Sequence, residues 1–381
     1  MLICFFNTYL MKFSGLHLFF IIPVILPFQS IISQEKKSES LLFGVNYTGD
    51  MVSNLTGGIK TGTTYLGMVT MDLAFDTETA DLWKGGSFYI KMANTHGGRP
   101  TQNFVGDFQG VSNIEAGNLT WLYECWYKHD FGKISTTIGL QDLNVNFASD
   151  DCAALFSNSS FGVQSSIADN IPSPIFPLTA LGLNIKWQLS SSSEWKVALF
   201  DGTPDDFENN PYNLNWKLSR DQGFLVITEY SFTKSLIINK SGNFKFGIYY
   251  HQHNDSIDKE QKNGGLYFSG HQQLTDRLHI FSQIGLSPKS INIHNHFYSL
   301  GLKYSGFSIA SPDDFCGIAL AYAGIDSRQD NGETAIELTY QKNFNSHFYI
   351  RPDIQYILNP SGTDEKLKNA FVAMLRFGVG F

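Results

Sequence analysis

The feature that most constrains this fold is a period-two alternation of apolar and polar residues, which recurs from about residue 42 to the last residue. In the clearest tract, Leu181, Leu183, Ile185, Trp187 and Leu189 share one face, while Ala180, Gly182, Asn184, Lys186 and Gln188 share the other. Successive side chains of a β-strand point to opposite faces, so such tracts predict strands with one apolar face. A helical period of 3.6 residues is hard to find, and glycines interrupt most tracts. The chain is therefore predicted to be all-β.

The number of alternating tracts predicts how many strands the sheet contains. We count about sixteen, the last of which ends at Phe381. Divided among sixteen strands, the residues after position 33 give about 22 residues for each strand and its connection. This spacing fits membrane-spanning strands of roughly 9–11 tilted residues joined by alternating short and long connections.

Charged residues on the polar faces favour a membrane barrel over a soluble sheet. Charged residues make up only 16% of the chain, and aromatic residues make up 14%. Beyond about residue 35, no apolar run approaches the roughly 20 residues of a membrane helix. The polar faces nevertheless carry Lys186, Lys245, Arg351, Asp353 and Arg376. In a dry core each would cost several kcal/mol unless paired. We therefore predict a transmembrane antiparallel β-barrel of about 16 strands, with a soluble secreted β-protein as an alternative.

Aromatic residues gather near the ends of the predicted strands. These residues are Trp83, Trp121, Trp126, Trp187, Trp195, Tyr304 and Tyr322. Tryptophan and tyrosine are enriched at the two membrane–water interfaces, where an apolar ring and a polar tip are both accommodated. We expect these seven side chains to form girdles around the barrel.

The amino-terminal region predicts export from the cytoplasm. Residues 1–33 contain one charge, Lys12, followed by an apolar stretch from Leu16 to Phe28. A basic residue, an apolar segment of this length and a small residue near the cleavage point are typical of a signal peptide. We predict a signal peptide over 1–33, a short polar segment over 34–40 and the barrel over 41–381. The true start could be Met1 or Met11.

A gap in the alternation, 141–177, separates two of the predicted strands. It is too long for a plain connection and contains Phe147, Phe156, Phe161 and Phe176. Four phenylalanines favour packing against the barrel over the alternative, a disordered outward loop. We predict that this segment folds inward and acts as a constriction loop.

A set of short motifs resembles the OprB-type carbohydrate-selective porin family. In the gap the resemblance is carried by Asp142-Leu143-Asn144, by the run from Phe156 to Gly162, and by Ser173-Pro174. It extends from about residue 41 to 381 through Gly85-Gly86-Ser87-Phe88, Leu122-Tyr123-Glu124, Gly264-Gly265-Leu266-Tyr267 and Asn359-Pro360. The resemblance implies a sixteen-stranded outer-membrane barrel of a Gram-negative bacterium that lets glucose-like sugars diffuse passively. This chain departs from the family pattern in having Cys125 and Cys152 and few arginines, which puts an arginine-based constriction in doubt.

A sugar-permeable channel needs polar side chains that bind weakly. Charged and amide groups exchange hydrogen bonds with sugar hydroxyls, and binding must stay weak if solute is to pass. The predicted pore-lining residues are Glu124, Lys128, Lys186, Glu229, Lys245, Arg351, Asp353 and Arg376 on strands, and Asp150, Asp151 and Asn158 on the inserted loop. The expected partners are small neutral sugars and outer-membrane lipid. A general porin and an outer-membrane barrel enzyme remain alternatives.

Several other kinds of site are not predicted. The net charge of −8 disfavours nucleic-acid binding through phosphates. No catalytic motif or cofactor is predicted, and the pairs His251/His253 and His294/His296 lack a third metal ligand at fixed spacing. A Cys125–Cys152 bridge is possible in an oxidising compartment, although unpaired thiols are favoured. The sequence leaves monomer and trimer undecided.

Overall fold

The computed structural model describes residues 39–254, 259–306, 312–325 and 332–381. Sixteen strands within these ranges form one closed barrel in which neighbours along the chain pair antiparallel and β1 pairs with β16. The strands are β1 Leu41–Gly58, β2 Gly62–Asp76, β3 Gly86–Gly97, β4 Leu119–Asp130, β5 Ile134–Gln141, β6 Ala180–Ser190, β7 Ser193–Asp201, β8 Phe224–Thr233, β9 Gly242–Asn254, β10 Glu260–Gln273, β11 Leu278–Leu286, β12 His294–Ser305, β13 Phe315–Ile325, β14 Glu333–Asn343, β15 Phe348–Leu358 and β16 Lys368–Gly380. The predicted all-β barrel of about sixteen strands is confirmed.

Closure of the barrel satisfies the backbone of the terminal strands. Asp50 of β1 lies opposite Arg376 of β16, in a register that runs from Asn46↔Gly380 to Gly58↔Lys368. No strand is then left with an unpaired edge, and lipid offers no alternative hydrogen-bond partner for one. The alternating sequence of the last strand is therefore what completes the sheet.

The two faces of the strands divide as the alternation predicts. Leu183 and Phe246 on the apolar faces are 41% and 51% exposed. Lys245 points the other way, and its Nζ donates to the carbonyl oxygen of Ser149, in the connection between β5 and β6, at 2.7 Å. The exposed apolar side chains therefore form the outer surface of the barrel, and the polar faces form its lumen.

The girdle prediction is wrong for Trp121. Its side chain is 1% exposed and lies on the inner face, in a cluster with Tyr123 that Phe176 and Phe207 cover. Ring centroids are 6.1 Å apart for Trp121 and Phe176 and 5.5 Å apart for Trp121 and Phe207. Trp187 and Trp195, by contrast, are 43% exposed on the outer face. Sequence position near a strand end did not distinguish an outward ring from one that supports an inner loop.

The longest connections all leave the same end of the barrel. Antiparallel strands place successive connections at opposite ends, so 98–118, 142–179 and 202–223 share the end opposite to Leu41 and Gly380. Short helical turns occur within the first two, including α1 Leu143–Asn146 and α2 Ser165–Ala168. No helix in the described ranges has the length and apolar character needed to cross a membrane.

Candidate pore and its inward loops

The connection between β5 and β6, residues 142–179, fills part of the lumen, and we refer to it as loop A. Its backbone and side chains contact residues of β7 to β12, β14 and β15, which lie around most of the barrel. A segment that contacts so many strands on their polar faces can only lie inside the barrel. The inward folding expected for the gap between strands is therefore observed.

Carboxylates on the barrel wall bind the backbone of loop A. Glu229 of β8 accepts the amide of Ala148 at 2.9 Å. Glu337 of β14 accepts the amides of Ser157 and Asn158 at 2.6 and 2.9 Å. An irregular segment carries amides that no sheet or helix satisfies, and a carboxylate can accept two of them through charge-assisted bonds. These acids fix the path of the loop.

A second connection, residues 98–118, also folds inward, and we refer to it as loop B. This inward fold was not predicted from the sequence. Glu333 of β14 accepts the amides of Phe108 and Gln109 at 2.7 and 3.0 Å. The two loops also pair with each other, because the amide of Asn113 donates to the carbonyl of Ser157 at 2.9 Å. The missed signal was the same as in loop A: a long connection that contains several apolar side chains, namely Phe104, Val105, Phe108, Val111 and Ile114.

A buried ion pair holds loop B against the seam of the barrel. Arg376 of β16 contacts Asp50 of β1 through two nitrogens, each 2.7 Å from a carboxylate oxygen. The same guanidinium donates to Asn113 at 2.8 Å, and the Ser112 hydroxyl donates to Asp50 at 2.7 Å. Bidentate pairing fixes both side chains in one orientation. The pair thus links two strands and one loop.

Two wall glycines let loop A approach closely. A Cβ atom at Gly285 would collide with the hydroxyl of Ser166 in α2, and one at Gly317 would lie 2.7 Å from the ring of Phe156. Next to this contact, the Ser165 hydroxyl donates to His294 Nε2 at 2.8 Å, while His294 Nδ1 donates to the carbonyl of Gly324 at 2.9 Å. His294 Nδ1 thus bonds to a backbone carbonyl, where a catalytic triad would have a carboxylate. The hydrogen bond between Ser165 and His294 therefore positions α2.

A cavity of about 330 Å³ lies between the two loops. Its lining combines hydroxyl and amide side chains with the carboxylates of Glu115 and Asp169, and its apolar part includes the partly exposed rings of Phe108 and Phe176. An adjoining cavity of about 300 Å³ shares Glu115 and adds Arg99. Burial raises the pKa of Glu115, opposed by the Thr101 amide that donates to it and by the charge of Arg99. Such a surface offers hydrogen bonds and two flat apolar faces to a solute.

The predicted pore residues divide by what they contact. Arg376, Glu229 and Lys245 lie on the wall and bind the inward loops. Asn158 lies on loop A, is fully buried, and donates to Glu337 and Gln355 of the wall. The polar atoms of these four residues therefore form hydrogen bonds between the loops and the barrel wall.

A second group is buried near the wall. Glu124 accepts Trp126 Nε1 at 3.1 Å, Arg351 donates to Gln341 at 3.0 Å, and Asp353 accepts Gln355 at 3.2 Å. Asp150 accepts the amide of Cys152 at 2.8 Å.

The remaining three predicted residues are more open. Asp151 is exposed on loop A, Lys128 is half-buried on β4, and Lys186 is 46% exposed and pairs with Glu194 at 2.6 Å. None of the eleven predicted residues lines the 330 Å³ cavity. Cys125, Cys152 and Cys316, the cysteines within the described ranges, are all free thiols.

Comparison with known proteins identifies the family. The model of the carbohydrate-selective porin family, OprB, matches residues 60–381. The chain belongs to this family. It is 23% identical to Porin B of Pseudomonas aeruginosa, with 89% of this chain and 87% of that protein covered. It is 22% identical to a putative porin, QuiX, of Acinetobacter baylyi, with 91% of each chain covered.

The fold agrees with solved structures of the OprB family. A high-pH structure of Pseudomonas putida OprB superposes with a TM-score of 0.80 at 21% identity, covering 90% of this chain and 94% of that one. The low-pH structure of the same protein gives a TM-score of 0.60 at 18% identity, covering 90% and 93%. Family and fold together describe a porin, a channel rather than an enzyme.

Proposed function

We propose that this OprB-family porin conducts small neutral sugars of the glucose type across the outer membrane of a Gram-negative bacterium. Family membership carries the sugar class. The observation on this chain that supports it is the cavity between loops A and B, whose polar lining is combined with the rings of Phe108 and Phe176. A signal peptide over residues 1–33 fits delivery to that membrane and lies outside the described residues.

The cavity lining matches the chemistry of a hexose. Sugar hydroxyls exchange hydrogen bonds with groups such as Asn113, Ser159 and Glu115, while the C–H faces of the ring lie against aromatic side chains. Each contact is weak and exposed to lumen water, so the solute can leave again. We propose this cavity as the narrow part of the path.

The eleven predicted residues then have two roles in the proposal. Those that are open, Asp151, Lys128 and Lys186, face lumen water and influence the field along the path. Those that are buried hold the loops that shape the opening. The role of the second group is positional, because their polar atoms are used by loop and wall partners. The number of subunits and the lipid contacts stay open in this proposal.

Planar-bilayer recording tests the proposal directly. We expect open channels whose ion current falls when millimolar glucose or a related sugar is added. Replacing Phe176 with alanine removes a ring from the cavity, which should raise the sugar concentration for half-block about two- to tenfold, the equivalent of ~0.5–1.5 kcal/mol of aromatic contact.

The matched control is Phe246→Ala, the same chemical change on the outer face, where the ring is 51% exposed. It should leave the half-block concentration unchanged. Current that no sugar reduces would leave a general porin, and a preparation of folded barrels without channels would defeat transport altogether.

A further inference from the structure

Three side chains with metal-ligand chemistry converge where loop A meets β10. Asp150 and Cys152 come from the loop and His271 comes from the strand, and one ligand atom of each lies within 4.8 Å of the others. Among the residues that the structure describes, this is the one group of three or more His, Cys, Asp or Glu side chains so arranged. The local sequence does not indicate this site, since His271 is 121 residues from Asp150.

Hydrogen bonds already orient two of the three groups. Asp150 Oδ1 accepts the backbone amides of Cys152 and Ala153 at 2.8 and 3.3 Å, which fixes the carboxylate against the turn that carries Cys152. The other oxygen, Oδ2, accepts His271 Nδ1 at 2.9 Å. Asp150 and Cys152 are 3% and 4% exposed. The carboxylate is therefore held with one oxygen directed at the imidazole, and the thiol follows two residues later.

We propose that Asp150, Cys152 and His271 form a binding site for a divalent transition metal of the zinc class. Bonds of about 2.0–2.3 Å in a tetrahedral site place ligand atoms roughly 3.3–3.8 Å apart. The oxygen–nitrogen pair at 2.9 Å would need to open by roughly 0.5 Å, and the thiol, which lies within 4.8 Å of both, would need to move closer by about 1 Å. A thiol and an imidazole select zinc-like metals over calcium and magnesium, which prefer oxygen ligands.

Binding balances charge within the site. The thiol of Cys152 gives up its proton to solvent, and the proton on His271 Nδ1 moves to Nε2 through solvent, since the coordinating nitrogen must carry a free lone pair. Carboxylate and thiolate then offset the two positive charges of the metal. Lys303 opposes binding, because its ammonium, 3.5 Å from the carbonyl oxygen of Asp151, places a positive charge near the metal. We therefore expect weaker binding than in a closed structural zinc site.

The position for a fourth metal ligand lies toward His279 of β11. Its ring centroid is 6.3 Å from that of His271, and its Nδ1 is buried without a hydrogen-bond partner. Rotation of this ring would complete a four-ligand site; otherwise water takes the position. In either case the metal would link loop A to β10, close to the turn at the end of the barrel where β1 begins and β16 ends, and would hold the loop against the wall.

Cobalt binding to the purified, reduced barrel in detergent tests the site. We expect one equivalent of Co²⁺ to give thiolate-to-cobalt charge-transfer absorption that Zn²⁺ displaces. Cys152→Ser should abolish this absorption, and His271→Asn should weaken binding at least tenfold, since loss of outer-shell partners alone costs about 10–100-fold. Cys316→Ser is the matched control, because it removes a free thiol of β13 outside the site and should leave both signals unchanged.

Heat-modifiable migration on gels shows whether each variant has folded, which separates loss of the site from loss of the barrel. Absence of cobalt absorption in the folded wild type would overturn the proposal. So would a signal that persists in folded Cys152→Ser or that disappears with Cys316→Ser. Sugar conduction does not enter this test, so its outcome is independent of the proposed transport function.

Discussion

Glu229 offers a sharp test of how the barrel wall holds loop A. Its carboxylate is fully buried, forms an ion pair with Lys196 Nζ at 2.7 Å, and accepts the Ala148 amide and the Tyr267 hydroxyl, each at 2.9 Å. Glu229→Gln keeps the size and removes the charge. Breaking one side of a buried ion pair costs about 3–5 kcal/mol, because the remaining charge is left without its counter-ion.

The lower end of that range applies here. Lys196 keeps a hydrogen bond to the carbonyl of Asn146, so part of its interaction survives. Moving loop A away from the wall would expose Lys196 to lumen water, so the cost should appear as local opening of the loop rather than as unfolding of the barrel. About 3 kcal/mol corresponds to roughly a hundredfold increase in the opening equilibrium.

Hydrogen exchange of the Ala148 amide measures this opening. We expect its protection factor to fall about a hundredfold in Glu229→Gln, with barrel amides on β2 and β3 unaffected. Glu194→Gln is the matched control: it removes the same charge from a more exposed pair with Lys186, for which about 0–1 kcal/mol is expected. Equal protection of Ala148 in the wild type and in folded Glu229→Gln would refute the argument that this acid anchors the loop.

Two further perturbations test other anchors. Arg376→Met leaves the buried carboxylate of Asp50 without its cation, so the opening free energy measured by exchange of loop B amides such as Asn113 should fall by about 3–5 kcal/mol. The double variant with Asp50→Asn should recover part of this loss. No recovery would contradict the pairing argument. Burial alone would raise the pKa of Asp314, but hydrogen bonds from Lys342 at 2.9 Å and Tyr340 at 2.7 Å outweigh it and lower the pKa. Its stabilisation is therefore complete above the ordinary carboxyl pKa of about 3.9 and is lost as the pH falls through the lower folded value. The protection factor of the Asn343 amide, which donates to Asp314 at 3.1 Å, should fall in that acid range in the wild type and lose this pH dependence in Asp314→Asn.

Part of the candidate site could be predicted from local pattern, and part could not. The long gap with four phenylalanines correctly indicated an inward loop, because apolar side chains in an irregular segment need a surface to cover them. Loop B also contains several apolar side chains in a long connection, but the connection is shorter and its inward fold was not predicted. On β14, Glu333 and Glu337 share one face, and Glu337 lies between Ile336 and Leu338 just as Lys245 lies between Phe244 and Phe246 on β9. Their roles in binding Gln109 and Asn158 depend on contacts across more than 170 residues of chain, which no local pattern contains.

The sequence by itself determined the class, the strand number and which face of each strand points out of the barrel. A period of two fixes both faces of a strand, and a chain in lipid must close its sheet. The tertiary structure alone decided which polar side chains meet water and which are covered by the inner loops. Arg376 and Lys186 both lie on lumen faces, yet one is buried against Asp50 and the other is 46% exposed beside Glu194. Alternation specifies the side on which a residue lies, whereas burial on that side depends on where distant segments of the chain come to rest.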